Sequence, residues 1–158
     1  MKNLFKVFTI LVTIVFTLVF ISCDNGSGES KYIAPTVFYD VEITVSPATT
    51  IDSGSTVTLT ASKLIKKTTY YNDNDTIKEK TEEEISFDGY IFDWSFDEDN
   101  EIYVTEPSDV NAGTFSFKGR NTDTSYHDVK VTLKIKNSDG ITVTFGVALI
   151  SIKPAVSN

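Results

Sequence analysis

One imidazole, one thiol and 22 carboxylates are the groups in this 158-residue chain with the widest chemical reach. A serine or cysteine nucleophile needs a base within hydrogen-bond reach and a third group to orient that base. The only imidazole is His127, at the head of the alternating stretch HDVKVTLKIK, and no Gly-x-Ser-x-Gly elbow is present to expose a serine. A glycosidase-type pair could be drawn from the acids, as it could in any acid-rich chain, and it defines the alternative reading of a carboxylate-dependent hydrolase. Asp97, Asp99 and Glu101 alternate after the segment that holds Trp94, and Asp73 and Asp75 flank a turn. Hard oxygen ligands of this kind suit calcium. The frame that starts at Asp97 nevertheless has Ile102 where an EF-hand loop needs glycine, so acidic turns facing water are the first expectation. Tyr70 and Tyr71 stand beside the turn Asn72-Asp73-Asn74-Asp75, and tyrosine supplies rigid amphipathic contact area, which makes the pair the candidate for partner binding.

The thiol has the most informative surroundings. Met1-Lys2-Asn3 and Lys6 precede an uncharged, mostly apolar run from Val7 to Ile21, which is the layout of an export signal. As a helix, 15 residues span about 22 Å, short of the ~30 Å hydrocarbon core of a bilayer. Phe20-Ile21-Ser22-Cys23 resembles the lipobox of bacterial lipoproteins, although Phe20 stands where that box most often has leucine. The resemblance implies removal of residues 1–22 and a diacylglyceryl group on Cys23, which then anchors the chain without a membrane helix. It also implies an address in the cell envelope, with the outer membrane or cell surface favoured over the inner membrane. Asp24, directly after the cysteine, resembles the inner-membrane retention signal of some Gram-negative lipoproteins. The competing reading of a lone exported cysteine is a stray thiol or an intermolecular disulfide.

Loss of residues 1–22 removes Lys2 and Lys6 and leaves 12 basic against 22 acidic residues, a formal charge of −10 over 136 residues. That sign repels phosphate backbones and argues against nucleic-acid binding. It argues equally against peripheral attraction to anionic headgroups. With Cys23 acylated no internal disulfide is possible, so a hydrophobic core must hold the fold; the length suits one domain.

The elements that would position these residues are strands. Residues 23–35 make a lipidated cysteine and a polar tether, DNGSGESKYIAP, and a domain over 36–154 follows. Val37, Tyr39, Val41, Ile43 and Val45 alternate with mostly polar residues. So do Val57, Leu59 and Ala61; Tyr90, Phe92, Trp94 and Phe96; Phe115 and Phe117; and Val129, Val131, Leu133 and Ile135. The last stretch carries Val143, Phe145, Val147 and Leu149 on one phase and Ile150 and Ile152 on the other, with Gly146 the proposed bulge that absorbs the slip. Apolar side chains at every second position line one face of a sheet, and two such sheets cover each other as an antiparallel β-sandwich.

GSTVTLTAS (54–62), YIFDWSF (90–96) and SYHDVKVTLKIKNSDG (125–140) resemble strands of immunoglobulin-like domains, with the PKD-type domains of bacterial surface proteins nearest. The resemblance implies an all-β immunoglobulin-like sandwich of about seven strands with Trp94 in its core. Phe96 is followed by Asp97-Glu98-Asp99-Asn100 rather than the Gly-Asp-Gly of PKD domains. Tyr126, the corner-tyrosine candidate, is out of phase with Val129 and Val131, so either a bulge lies at His127-Asp128 or another residue makes the corner. Residues 63–86 exceed the minimal pattern. Their basic arm (Lys63, Lys66, Lys67) and acidic arm (Glu79, Glu82, Glu83, Glu84) predict an inserted hairpin, in preference to a short helix over 76–85.

Together these readings predict a non-catalytic binding, adhesion or structural module, tied to a membrane through Cys23 and meeting an unidentified protein or glycan. The alternatives are an accessory subunit that pairs a sheet edge with another chain, and the hydrolase already named. No cofactor is implied beyond the calcium considered above.

Overall fold

The computed structural model describes residues 32–72 and 75–155. Among the described residues nine strands run in the order β1 Thr36–Ser46, β2 Thr50–Ile51, β3 Thr56–Tyr71, β4 Ile77–Ile85, β5 Ile91–Phe96, β6 Val104–Thr105, β7 Thr114–Gly119, β8 His127–Lys136 and β9 Thr142–Ile152. A 3-10 turn, Glu98–Tyr103, links β5 to β6. One sheet has the order β1-β3-β7-β6, with β4 also paired to β3; the other has the order β2-β9-β8-β5. Every pairing is antiparallel except β2 with β9. In immunoglobulin terms β1, β3, β7 and β6 stand as A, B, E and D, and β5, β8 and β9 as C, F and G. The fold is an all-β immunoglobulin-like sandwich, and β4 is its extra strand.

Alternation in the sequence becomes the core directly. Val57, Leu59, Phe115 and Phe117 point inward from the first sheet, and Val129, Val131, Leu133, Ile135, Ile150 and Ile152 from the second, all fully buried. Burial of each such side chain contributes about 1.5–3 kcal/mol. Trp94 lies between the sheets, stacked on Phe115 with ring centroids 5.8 Å apart, and its indole N–H donates to the Ala112 carbonyl at 2.8 Å. A buried indole needs that partner, because leaving its N–H unmet away from water would cost about 1–3 kcal/mol.

One expectation is corrected and one open alternative is decided. The irregularity in β9 falls at Val143, not Gly146: Ile135 pairs with Thr144 and Lys136 with Thr142, while Gly146 pairs regularly with Leu133. Thr144, Ala148, Ile150 and Ile152 consequently face inward, and Phe145, Val147 and Leu149 form the outer row rather than the core. Gly146 serves a different purpose. A Cβ at this position would lie 2.8 Å from Ile43 Cδ1 and 3.0 Å from Val41 Cγ1, so its lack of a side chain lets β9 approach β1. Likewise, pairing is regular through His127↔Ile152, Asp128↔Ser151 and Val129↔Ile150, so no bulge brings Tyr126 into phase. Tyr126 is 61% exposed and is not the corner residue.

The sequence 63–86 forms the hairpin its charges predict, as part of a longer strand. In β3, Lys63 pairs with Glu42 and Ala61 with Ile43, leaving Ser62 as a bulge. Beyond it β3 exchanges β7 for β4 as its neighbour, while β1 stays paired along its whole length. The result is a three-stranded ribbon. Tyr39 is the last β1 residue that packs against the apolar core, and from Lys67 to Tyr71 the ribbon runs on by about 14 Å at ~3.4 Å per residue.

Candidate functional site

Two places hold the residues singled out by their chemistry, and a third comes from the structure. The first is the ribbon. Lys66 Nζ meets Glu83 Oε1 at 3.0 Å, and Lys67 Nζ lies 2.6 Å from Asp40 Oδ2 and 3.6 Å from Glu82 Oε1. The hydrogen bond to Glu83 raises the Lys66 ammonium above its ordinary range, and that to Asp40 raises Lys67. Near the tip Tyr70 is opposite Glu79, and Tyr71 is opposite Ile77 after a one-residue shift. Neighbouring residues on a strand face opposite ways, so Tyr70 and Tyr71 present their rings on different faces of the ribbon. Tyr70 is 40% exposed, while Tyr71 is half-buried and accepts a hydrogen bond from Thr36 Oγ1 at 3.3 Å. The two tyrosines do not form one flat contact patch.

The second place is the acidic turn. Asp97, Asp99 and Glu101 belong to a 3-10 turn and its cap rather than to a strand, so a spacing of two does not set them on one face. All three are exposed, and Lys130 Nζ lies 3.7 Å from Asp97 Oδ2. Among the described residues no three His, Cys, Asp or Glu side chains come together as a group able to hold a metal ion. The turn serves packing instead. Asn100 is buried, with its backbone N–H bonded to the Asp97 carbonyl at 2.8 Å and its Oδ1 3.1 Å from His127 Nε2. The imidazole also stacks on Tyr103, ring centroids 3.4 Å apart at 13°. Tyr103 in turn donates its hydroxyl to Asp123 Oδ2 at 2.9 Å, a bond that raises its pKa above the ordinary phenol value. His127 is thus occupied by an amide and a phenol ring, not by a serine and a carboxylate.

The third place escaped the sequence reading. Asn121 is completely buried in the connection between β7 and β8. Its Nδ2 donates to the carbonyls of Ser125 and Ile152, each at 2.8 Å, and its Oδ1 accepts from the Asp123 N–H at 2.9 Å. Its own N–H donates to Ser53 Oγ at 2.9 Å, and its carbonyl accepts from the Ala155 N–H. This amide holds β9, the β7–β8 connection and the loop before β3 together. The available signal was the Asn-x-Asp spacing of an Asx turn; its burial could not be inferred from that spacing.

Cys23 and the lipobox lie outside the described residues. Among the described residues no helix is long and apolar enough to cross a membrane. No family model, curated protein or solved structure gives a significant match to the chain.

Proposed function

We propose that the protein is an exported lipoprotein whose acylated Cys23 ties a single non-catalytic immunoglobulin-like module to the cell envelope, for binding, adhesion or a structural role. The observation that carries this reading is the unbroken order of basic n-region, apolar run, Ser22-Cys23 and polar segment leading into β1. A sandwich whose apolar side chains cover one another is a self-sufficient body for such an anchor to display. Engagement of the sole imidazole by Asn100 and Tyr103 supports a non-catalytic role. Its partner is a protein or glycan, and its place is the outer membrane or cell surface.

Mass spectrometry of the protein extracted with detergent from its native membrane tests the reading. Cys23 should be the first residue and should carry a diacylglyceryl mass, and Cys23→Ser should move the protein out of the membrane fraction. An unacylated N-terminus with residues 1–22 still attached would overturn it.

A further inference from the structure

We infer that the free edge of β4 pairs antiparallel with the same edge of a second copy of this chain. The two-fold axis passes through Thr81, and the dimer shares one continuous ribbon of six strands. β4 bonds to β3 on one side, and among the described residues no strand lies on its other side. Its residues from Ile77 to Glu84 are all exposed. The backbone groups along that side are therefore a template for another strand. β1 lies across β3 from β4, and Thr36 pairs with Thr69. The chain thus enters the fold at the hairpin end, on the side away from the β4 edge.

The charges of β4 select the occupant and its register. Charge on an edge strand commonly prevents pairing, and one sign along the whole strand would bar a second copy. Here the sign changes along the strand: Lys78 and Lys80 stand before Thr81, and Glu82, Glu83 and Glu84 after it. Antiparallel pairing centred on Thr81 lays the basic half of each copy on the acidic half of the other. Lys80 then meets Glu82 of the second copy, twice by symmetry, and Thr81 meets its own counterpart. Glu84 comes beside Lys78, which the one-residue shift leaves out of the pairing with β3. Thr69 and Ile65, the β3 residues opposite Lys80 and Glu84, carry no charge, so the hairpin itself sets nothing opposite these two. Glu79 meets Glu83, but Lys66 Nζ already holds Glu83 at 3.0 Å and offsets its charge. An axis at Lys80 or at Glu82 would set a like charge on itself, and a parallel neighbour in register would do so at every charged position.

The shape of the molecule allows this pairing. Ile85 packs against the apolar core, whereas Ile77 lies at the outer end of the hairpin. Opposed strands therefore put the two sandwiches at opposite ends of the shared ribbon, where they do not collide. An isologous contact of this kind closes on itself.

The inference does not depend on the lipid anchor, and its test uses the full chain with Cys23→Ser, so that an introduced cysteine is the sole thiol. Under mild oxidation Thr81→Cys should give a disulfide-linked dimer, because directly opposed Cα atoms stand about 4.5–5.5 Å apart. Glu79→Cys alone should not, since its two copies are offset by four residues, about 14 Å, which exceeds disulfide reach. Mixed with Glu83→Cys it should link. Equal linkage at 79 and 81 overturns the register, and no linkage at 81 overturns the dimer. Sedimentation of chains without an added cysteine gives an independent readout. Lys80→Glu and Glu82→Lys should each weaken self-association by ~10-fold or more, and mixing the two variants should restore it, because each mixed pair joins opposite charges. A parent that stays monomeric overturns the dimer; single variants that associate like the parent, or a mixture that does not recover, overturn the Lys80–Glu82 contact.

Discussion

Replacing Asn121 by alanine should destabilise the domain by about 3 kcal/mol, because three neutral hydrogen bonds of roughly 1 kcal/mol each disappear from a site closed to water. The partners are the carbonyls of Ser125 and Ile152 and the N–H of Asp123, and Asn121 itself has no exposed surface. For a domain of this size each kcal/mol corresponds to about 4 °C in Tm, so the transition should fall by about 12 °C. Urea titration followed by Trp94 emission is the direct assay, since the sole tryptophan is 2% exposed when folded. Asn121→Asp sharpens the argument. It turns the donating nitrogen into an oxygen facing two carbonyl oxygens 2.8 Å away, so the carboxyl holds its proton more tightly folded than unfolded. The native state of the variant then binds more protons than the unfolded chain above the unfolded value of about 3.9, and stability falls with rising pH by up to ~1.4 kcal/mol per unit. At neutral pH the aspartate variant should be less stable than the alanine variant, with the gap closing in acid. An alanine variant within ~0.5 kcal/mol of the parent would refute the account of this amide.

Further outcomes follow from the packing and the ionisable groups. Gly146→Val should cost about 1–3 kcal/mol by forcing β9 against Val41 and Ile43, whereas Leu149→Thr on the exposed row should stay within ~0.5 kcal/mol; urea midpoints compare the two. Replacing residues 68–81 by Asn-Gly should shorten the ribbon and leave Trp94 buried, because the side chains packed on the core end at Tyr39 and Ile85; a red-shifted, exposed tryptophan spectrum would show that the ribbon is needed for the sandwich. Stability should decline above about pH 10, read as Tm against pH. Lys66, Lys67 and Lys153 are raised by bonds to Glu83, Asp40 and Asp52, so their contribution is complete below the unfolded value and vanishes as pH climbs through the folded one. Tyr90, raised by burial, and Tyr103, raised by its bond to Asp123, act in the same direction, since the unfolded chain ionises first; Asp123→Asn should soften the decline.

Legibility in the sequence followed how local the cause was. Val129, Val131, Leu133 and Ile135 lie inward because alternation alone decides a strand with one buried face, and the Lys66–Glu83 and Lys67–Glu82 pairs follow from complementary arms around a turn. The inward face of β9 was misread, because two apolar phases compete there. The choice between them rests on how close β1 stands to Gly146, a contact made between residues far apart in the chain. The alternation of Asp97, Asp99 and Glu101 suggested one face only if the strand continued past Phe96, and the chain instead tightens into a 3-10 turn. Asn121 was passed over for a related reason. A polar residue in a polar loop gives no local sign that segments distant in the chain will close over it.

The entry of the chain at the hairpin end also decides how the domain would bear a mechanical load. A pull on the N-terminus, resisted by something held at the far end, is directed along β1 rather than across it. All eleven β1–β3 pairs from Thr36↔Thr69 to Ser46↔Thr58 would be strained together in shear, instead of parting one after another like a zip. Rupture under force is governed by the unfolding rate. The same domain tugged sideways from Ser46 would give way at a lower force.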